Sequence, residues 1–314
     1  MNNPGAAWKW YSTLMALILC MFVLGENAYS AEKKIVMKKY PTIKIGFTTQ
    51  NFAKVLPVSP DSAKKLIDFA ADQGHSWVEL RDPGAMLTFD ECKQISDYAR
   101  GRNIEIVYAL AAGIMDAKFA EIFSRGLANA ALFQGPRFIR TGLAGEDFLK
   151  DPKKKAWTRQ ELTDVVAAAN QAANQAKTFG LTHVVENARE IVKGDGVISF
   201  GTTEFFANVN SNVGLQPDSA NFFSVSRVLT KPEDATAFLE LYAKKIRYTH
   251  LKTSSKEHKA LAVLAENELD FDTIFSILAK NHAPYVAIEL DPAGKLEDCY
   301  GNMKKSVEYL VNNY

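Results

Sequence analysis

Short apolar runs alternate with longer amphipathic stretches along most of the 314-residue chain. Runs rich in β-branched and aromatic residues predict strands at 43–48, 77–80, 104–108, 138–141, 182–186, 213–218, 246–251 and 285–289. Between them the period lengthens to that of a helix. Pro60 and Asp61 open a helix to about Gln73, with Gly74 as its left-handed stop. Thr88 with Glu91, and Thr158 with Glu161, have the spacing of capping boxes. They start helices that run to about Arg100 and to Gly180. Further helices are expected at 117–132, 203–209, 232–244, 271–281 and 296–313.

Strict alternation of strand and helix predicts a parallel sheet. Eight units in about 280 residues match an α/β fold of the (β/α)8 TIM-barrel type. The competing doubly wound sheet would carry a glycine-rich phosphate turn after its first strand. Here Thr48, Thr49, Gln50, Asn51 and Phe52 follow instead. Pro217 suits a strand end or an irregularity better than a central ladder position.

The first thirty residues break the alternation. Lys9 precedes an unbroken apolar run from Leu14 to Gly25, and Ala28 and Ser30 offer a cleavage site. That pattern predicts a signal peptide at 1–30 and an exported protein, periplasmic or secreted. The run is short for a membrane span, so no stable membrane insertion is expected after cleavage; a retained anchor is the alternative. An exposed, lysine-bearing linker at 31–41 and a single barrel domain at 42–314 follow. The mature chain keeps Cys92 and Cys299, too few for a disulfide framework. With 37 basic and 36 acidic residues there is no electrostatic footprint for nucleic acid.

In a barrel the site lies at the C-terminal ends of the strands. Those ends present Glu186, Asp218, His250 and Glu289 on strands five to eight, at intervals of 32, 32 and 39 residues. Carboxylates facing a barrel interior are costly unless paired or metal-bound. Three oxygen donors and one nitrogen donor suit a divalent ion, with Mn²⁺, Mg²⁺, Co²⁺ and Zn²⁺ all admissible. Taken singly, each acid has a plainer role as a helix cap or salt-bridge partner, and His250 as a core histidine. The set on adjacent strands carries the argument.

These segments give the chain its resemblance to the sugar-phosphate isomerase/epimerase group of xylose isomerase-like TIM barrels. The matching stretches are 43–47, 74–80, 185–187, 215–218, 248–252 and 286–289, which span nearly the whole mature chain. The resemblance implies metal ligation by Glu186, Asp218, His250 and Glu289. It also implies proton transfer by Glu186 and Glu289 through an enediolate. The chain departs from the group at Ala188, Asn221 and Thr253, where many members carry histidine, histidine and aspartate. The substrate shell is therefore expected to differ, with Asn221 in it.

The implied activity is isomerisation or epimerisation of a small sugar or keto-sugar. Lys252 would bind an enolate oxygen or an anionic substituent. Glu79 and Arg81, two apart on strand two, would bind hydroxyls or a carboxylate, or pair with each other. Arg140 on strand four would meet an anionic group. A lyase or dehydratase using the same metal-enolate chemistry and a non-catalytic carbohydrate-binding barrel are the alternatives. His75, His183, His258 and His282 are assigned no role.

Overall fold

The computed structural model describes residues 34–143, 158–187, 202–223, 232–254 and 261–314. The expected signal peptide, the start of the linker, Ala188 and His258 lie outside them. Ile35–Tyr314 form one compact unit.

Eight parallel strands run in chain order: β1 (Lys44–Thr48), β2 (Trp77–Arg81), β3 (Glu105–Gly113), β4 (Phe138–Gly142), β5 (Thr182–Glu186), β6 (Val213–Gln216), β7 (Tyr248–Leu251) and β8 (Tyr285–Ile288). Eight helices are seen among the described residues. They are α1 (Pro60–Gln73), α2 (Phe89–Gly101), α3 (Phe119–Ala130), α4 (Arg159–Thr178), α5 (Thr202–Asn208), α6 (Pro232–Leu241), α7 (Phe271–Lys280) and α8 (Leu296–Asn313). The sheet order is β6-β5-β4-β3-β2-β1-β8-β7. Two isolated parallel bridges, Leu215 with Ile246 and Asp218 with His250, close β6 onto β7. The expected (β/α)8 barrel is what the chain forms.

The β6–β7 seam departs from the predicted boundaries. β6 ends at Gln216 because Pro217 has no N–H to continue a ladder. The Pro217 carbonyl still accepts from His250 N–H at 2.8 Å, and Ser219 N–H returns a bond to His250 O at 3.1 Å. β7 starts at Tyr248 rather than Ile246, since a 3-10 turn at Ala243–Lys245 takes up the preceding residues. β8 stops at Ile288, one residue before Glu289. β3 runs further than predicted, to Gly113, with a register shift after Ala109.

The caps act as predicted. Ser59 accepts from Ser62 N–H ahead of Pro60, and Gly74 closes α1 at φ 85°. Both capping boxes form, at Thr88 and Thr158. Each such cap contributes about 1 kcal/mol.

Two cores result. The larger fills the layer between strands and helices. The smaller lies inside the barrel: Trp77, Val107, Val184, Tyr248 and Ala287, with Phe138 and Tyr285 against them. Trp77 meets Tyr248 and Tyr285 edge-on, with centroids 5.6 and 5.7 Å apart, and Phe138 stacks on Tyr248 at 6.0 Å. Gly46 makes room for this plug: a Cβ there would lie 2.6 Å from the Trp77 ring and 2.5 Å from its carbonyl oxygen. Cys92 and Cys299 are buried free thiols. No helix among the described residues is long and apolar enough to cross a membrane.

Candidate metal centre

In a strand, residues two apart share a face. Trp77 and Glu79, Val184 and Glu186, and Tyr248 and His250 therefore all point inward, the second of each pair one step nearer the C-terminal rim. Asp218 and Glu289 lie just past their strands and are fixed by local bonds. Asn187 Oδ1 accepts from Asp218 N–H at 2.7 Å. Asp218 Oδ1 accepts from the N–H groups of Ala220 and Asn221, at 2.9 and 3.0 Å. Glu289 N–H donates to Leu251 O, and the Asn51 amide brackets it by bonding Ile288 O and Leu290 N–H.

The result brings Glu186, Asp218, His250 and Glu289 together. One ligand atom from each lies within 4.8 Å of all the others. Below them, the fully buried Glu79 carboxylate accepts from Tyr248 Oη at 2.7 Å and lies 2.8 Å from His250 Nε2. Burial would raise the Glu79 pKa, but the charge and hydrogen bond of His250, then Arg140 and Tyr248, hold it down to about 2. An ionised carboxylate only accepts, so His250 must donate from Nε2. Loss of a proton from His250 then bares Nδ1 toward the acidic set. This is the outer-carboxylate arrangement that orients metal-binding histidines.

Nδ1 lies 2.7 Å from Glu289 Oε2 and 3.9 Å from both Glu186 Oε1 and Asp218 Oδ2. Yet Nδ1, Glu289 Oε2 and Asp218 Oδ2 are buried without an aligned hydrogen bond. Close approach without hydrogen-bond alignment is what atoms aimed at a shared central cation show. The donor set, one imidazole and three carboxylates, fits a divalent ion.

Two cations flank this set. Arg140 Nη2 pairs with Glu186 Oε2, Nε donates to Gln216 Oε1 at 3.3 Å, and Nη1 donates to Leu110 O at 3.2 Å. Lys252 Nζ lies 2.5 Å from Glu289 Oε1 and 3.8 Å from Asp218 Oδ2. Burial lowers the Lys252 pKa, but Glu289 and Asp218 outweigh it and push it up to about 12. Burial likewise opposes Glu289 ionisation, and Lys252 and His250 overcome it, holding that carboxyl well below the usual range. At Asp218 burial wins and the pKa rises. His250 is pulled down by burial but lifted by Glu79 and Glu289 to about 9.

Several expected roles are redirected. Glu79 does not pair with Arg81 and is not at a solvent-facing surface; it lies beside His250, because its position is one step deeper in the barrel than that of Arg81. Arg140 already holds the Glu186 carboxylate, so its nearest anion is internal. Lys252 lies past the end of β7, and its long stem still carries the ammonium to Glu289. Asn221 Nδ2 reaches Glu186 Oε1 at 3.4 Å and Asn187 O at 3.3 Å. Thr253, one of the departures from the resembled group, ties the following chain by exchanging bonds with Ala265. Asn51, Asn187 and Gln216 were missed. Only the polar Gln216 on an apolar strand carried a local signal.

No protein-family model matches the chain, and no curated protein matches it. Solved structures do. A sugar phosphate isomerase/epimerase from Parabacteroides distasonis ATCC 8503 superposes with a TM-score of 0.65 at 13% identity, covering 91% of this chain and 98% of that one. A structure of L-ribulose 3-epimerase gives 0.63 at 17%, over 86% and 95%. A xylose isomerase-like TIM barrel protein from Mycobacterium smegmatis in complex with magnesium gives 0.59 at 16%, over 86% and 97%. At these identities the likeness is one of fold. The chain shares their (β/α)8 barrel fold.

Proposed function

We propose that the protein is a divalent-metal-dependent isomerase or epimerase of a small sugar or keto-sugar. The observation that carries this is the convergence of four ligand atoms from consecutive strands, three of them buried without an aligned partner. Similarity in fold to sugar phosphate isomerase/epimerases and L-ribulose 3-epimerase supports it.

Glu186, Asp218, His250 and Glu289 would hold the ion, and Glu79 would keep His250 in the ligating tautomer. Bound there, a divalent ion supplies Lewis-acid polarisation of a carbonyl and its neighbouring hydroxyl. Glu289 or Glu186 removes the proton on the carbon beside the carbonyl, leaving an enediolate. The other glutamate takes a proton from solvent and delivers it to the opposite face, while the first releases its own to solvent, which inverts that centre; delivery to the adjacent carbon, with the hydroxyl proton passing between the two oxygens, moves the carbonyl instead. Lys252 keeps Glu289 ionised and ready to accept. Arg140 orients Glu186, and Asn221 sits beside it to meet a hydroxyl. The apolar run 14–25 supports export, so unphosphorylated sugars are the first substrates to try.

The test is elemental analysis and titration with divalent ions, then a screen of ketoses and keto-sugars by proton exchange with deuterated solvent. Tight uptake of one ion per chain and exchange at the carbon beside the carbonyl are expected. A protein that binds no divalent ion overturns the reading. Binding of ion and sugar without exchange turns it into a carbohydrate-binding barrel.

A further inference from the structure

Among the described residues, Arg81 is the one interior-facing cation near the centre that the proposed chemistry leaves unused. It follows Glu79 by two residues on β2 and so faces the same way. Its backbone N–H is fixed by Thr49 Oγ1 at 2.9 Å. Its guanidinium has no hydrogen bond or ion pair among the described residues, and its Nε is buried without a partner. Its charge is nonetheless felt at the centre, where it favours the Glu289 carboxylate and opposes the Lys252 ammonium. Arg81 also borders a small cleft with Thr49, Gln50, Leu56, Leu66 and Leu80.

The charges around the centre indicate what such a group would meet. Among the described residues, four carboxylates converge there: Glu79, Glu186, Asp218 and Glu289. Arg140, Lys252 and a divalent ion balance them, with His250 neutral as a ligand. Arg81 is left over as a single positive charge. Arg81 is half-buried, burying even part of a cation without a partner is costly, and a guanidinium matches a carboxylate with two parallel bonds.

We propose that Arg81 is the binding residue for a carboxylate on the substrate, which makes the substrate class a sugar acid or its keto form. This rests on the metal-dependent sugar reading above. A monoanion leaves the complex neutral, whereas a phosphate dianion would leave a negative charge uncompensated.

The test compares three probes on the Mg²⁺-loaded protein by ligand-observed NMR titration: glucuronate, glucose and glucose 6-phosphate. Glucuronate is expected to bind at least tenfold tighter than glucose, the scale of one charge-assisted pair. Arg81→Gln is expected to erase that preference, and Arg81→Lys to restore part of it. Equal affinity for glucuronate and glucose in the unaltered protein overturns the inference, and this comparison needs no variant to fold. So does a stronger preference for glucose 6-phosphate. A glucuronate preference that survives in Arg81→Gln places the carboxylate elsewhere and also overturns it. Failure of the metal reading is seen separately, as absence of Mg²⁺ uptake before any sugar is added.

Discussion

The inside of the barrel has two layers two residues apart on the same strands, and they solve opposite problems. The lower layer, around Trp77, Val184 and Tyr248, is apolar and aromatic, and the Tyr248 hydroxyl and the Trp77 indole N–H both find acceptors. The upper layer, around Glu79, Glu186 and His250, is charged throughout and leaves three buried ligand atoms without aligned partners. Burying apolar surface releases free energy wherever it occurs, about 25 cal/mol per Å². Burying carboxylates costs several kcal/mol per ion unless cations answer them. The lower layer therefore holds the barrel together, and the upper layer is tolerated because Arg140, Lys252 and a bound cation answer its charge.

Changes in the upper layer should cost function more than stability. The largest effect is expected for Glu289→Gln, which keeps the size and removes the base. Turnover on a confirmed substrate, read by solvent proton exchange, should fall by about 10²–10⁴-fold. Near-normal exchange with the metal retained would sink the two-glutamate scheme.

The lower layer should behave in the opposite sense. Trp77→Ala removes the centre of the aromatic plug, and its cost should be about 3–5 kcal/mol in denaturant unfolding. Gly46→Ala should also destabilise, by about 1–3 kcal/mol, because the added methyl meets the Trp77 ring and backbone. If either change instead left stability intact while abolishing metal binding, the division between layers would be wrong.

Glu79 joins the layers, since it takes bonds from Tyr248 below and from His250 beside it. Glu79→Gln keeps the shape and removes the charge that orients the imidazole. Metal affinity should drop about 10–100-fold in titration calorimetry, and the metal-free protein should lose part of the stability that the protonated His250 supplies below about pH 6.5.

Much of this was legible in the chain beforehand, for physical reasons. Glu186 and His250 stand out because a period of two in an apolar strand forces a charged residue inward. Asp218 and Glu289 were legible by depth, although each lies beyond its strand. The capping boxes were legible because they are local. What was hidden depends on neighbours distant in sequence. Asn51 reaches the backbone on both sides of Glu289 across more than 230 residues. Glu79 looked like a partner for Arg81 because they share a face, but closure of the barrel brings Tyr248 and His250 nearer. Arg140 was seen as an interior cation, while its grip on Glu186 needed the β4–β5 register.

The mildest effect expected is a dependence on pH, and it separates the layers without any mutation. In the metal-free protein His250 has its pKa lifted to about 9, from an ordinary 6.5, by Glu79 and Glu289 against the pull of burial. A raised pKa means that the protonated imidazole stabilises the fold fully below about 6.5. That contribution is lost as pH rises through about 9. A divalent ion must displace the same proton, so its affinity should rise by about tenfold per pH unit across that window. The metal-free melting temperature should fall from pH 6.5 to 9, while the gain on adding the ion grows. The aromatic layer has no group that titrates there, so Trp77→Ala should shift both curves down without changing their slopes. A metal-induced gain that stays flat between pH 6.5 and 9 would remove His250 from the ligand set.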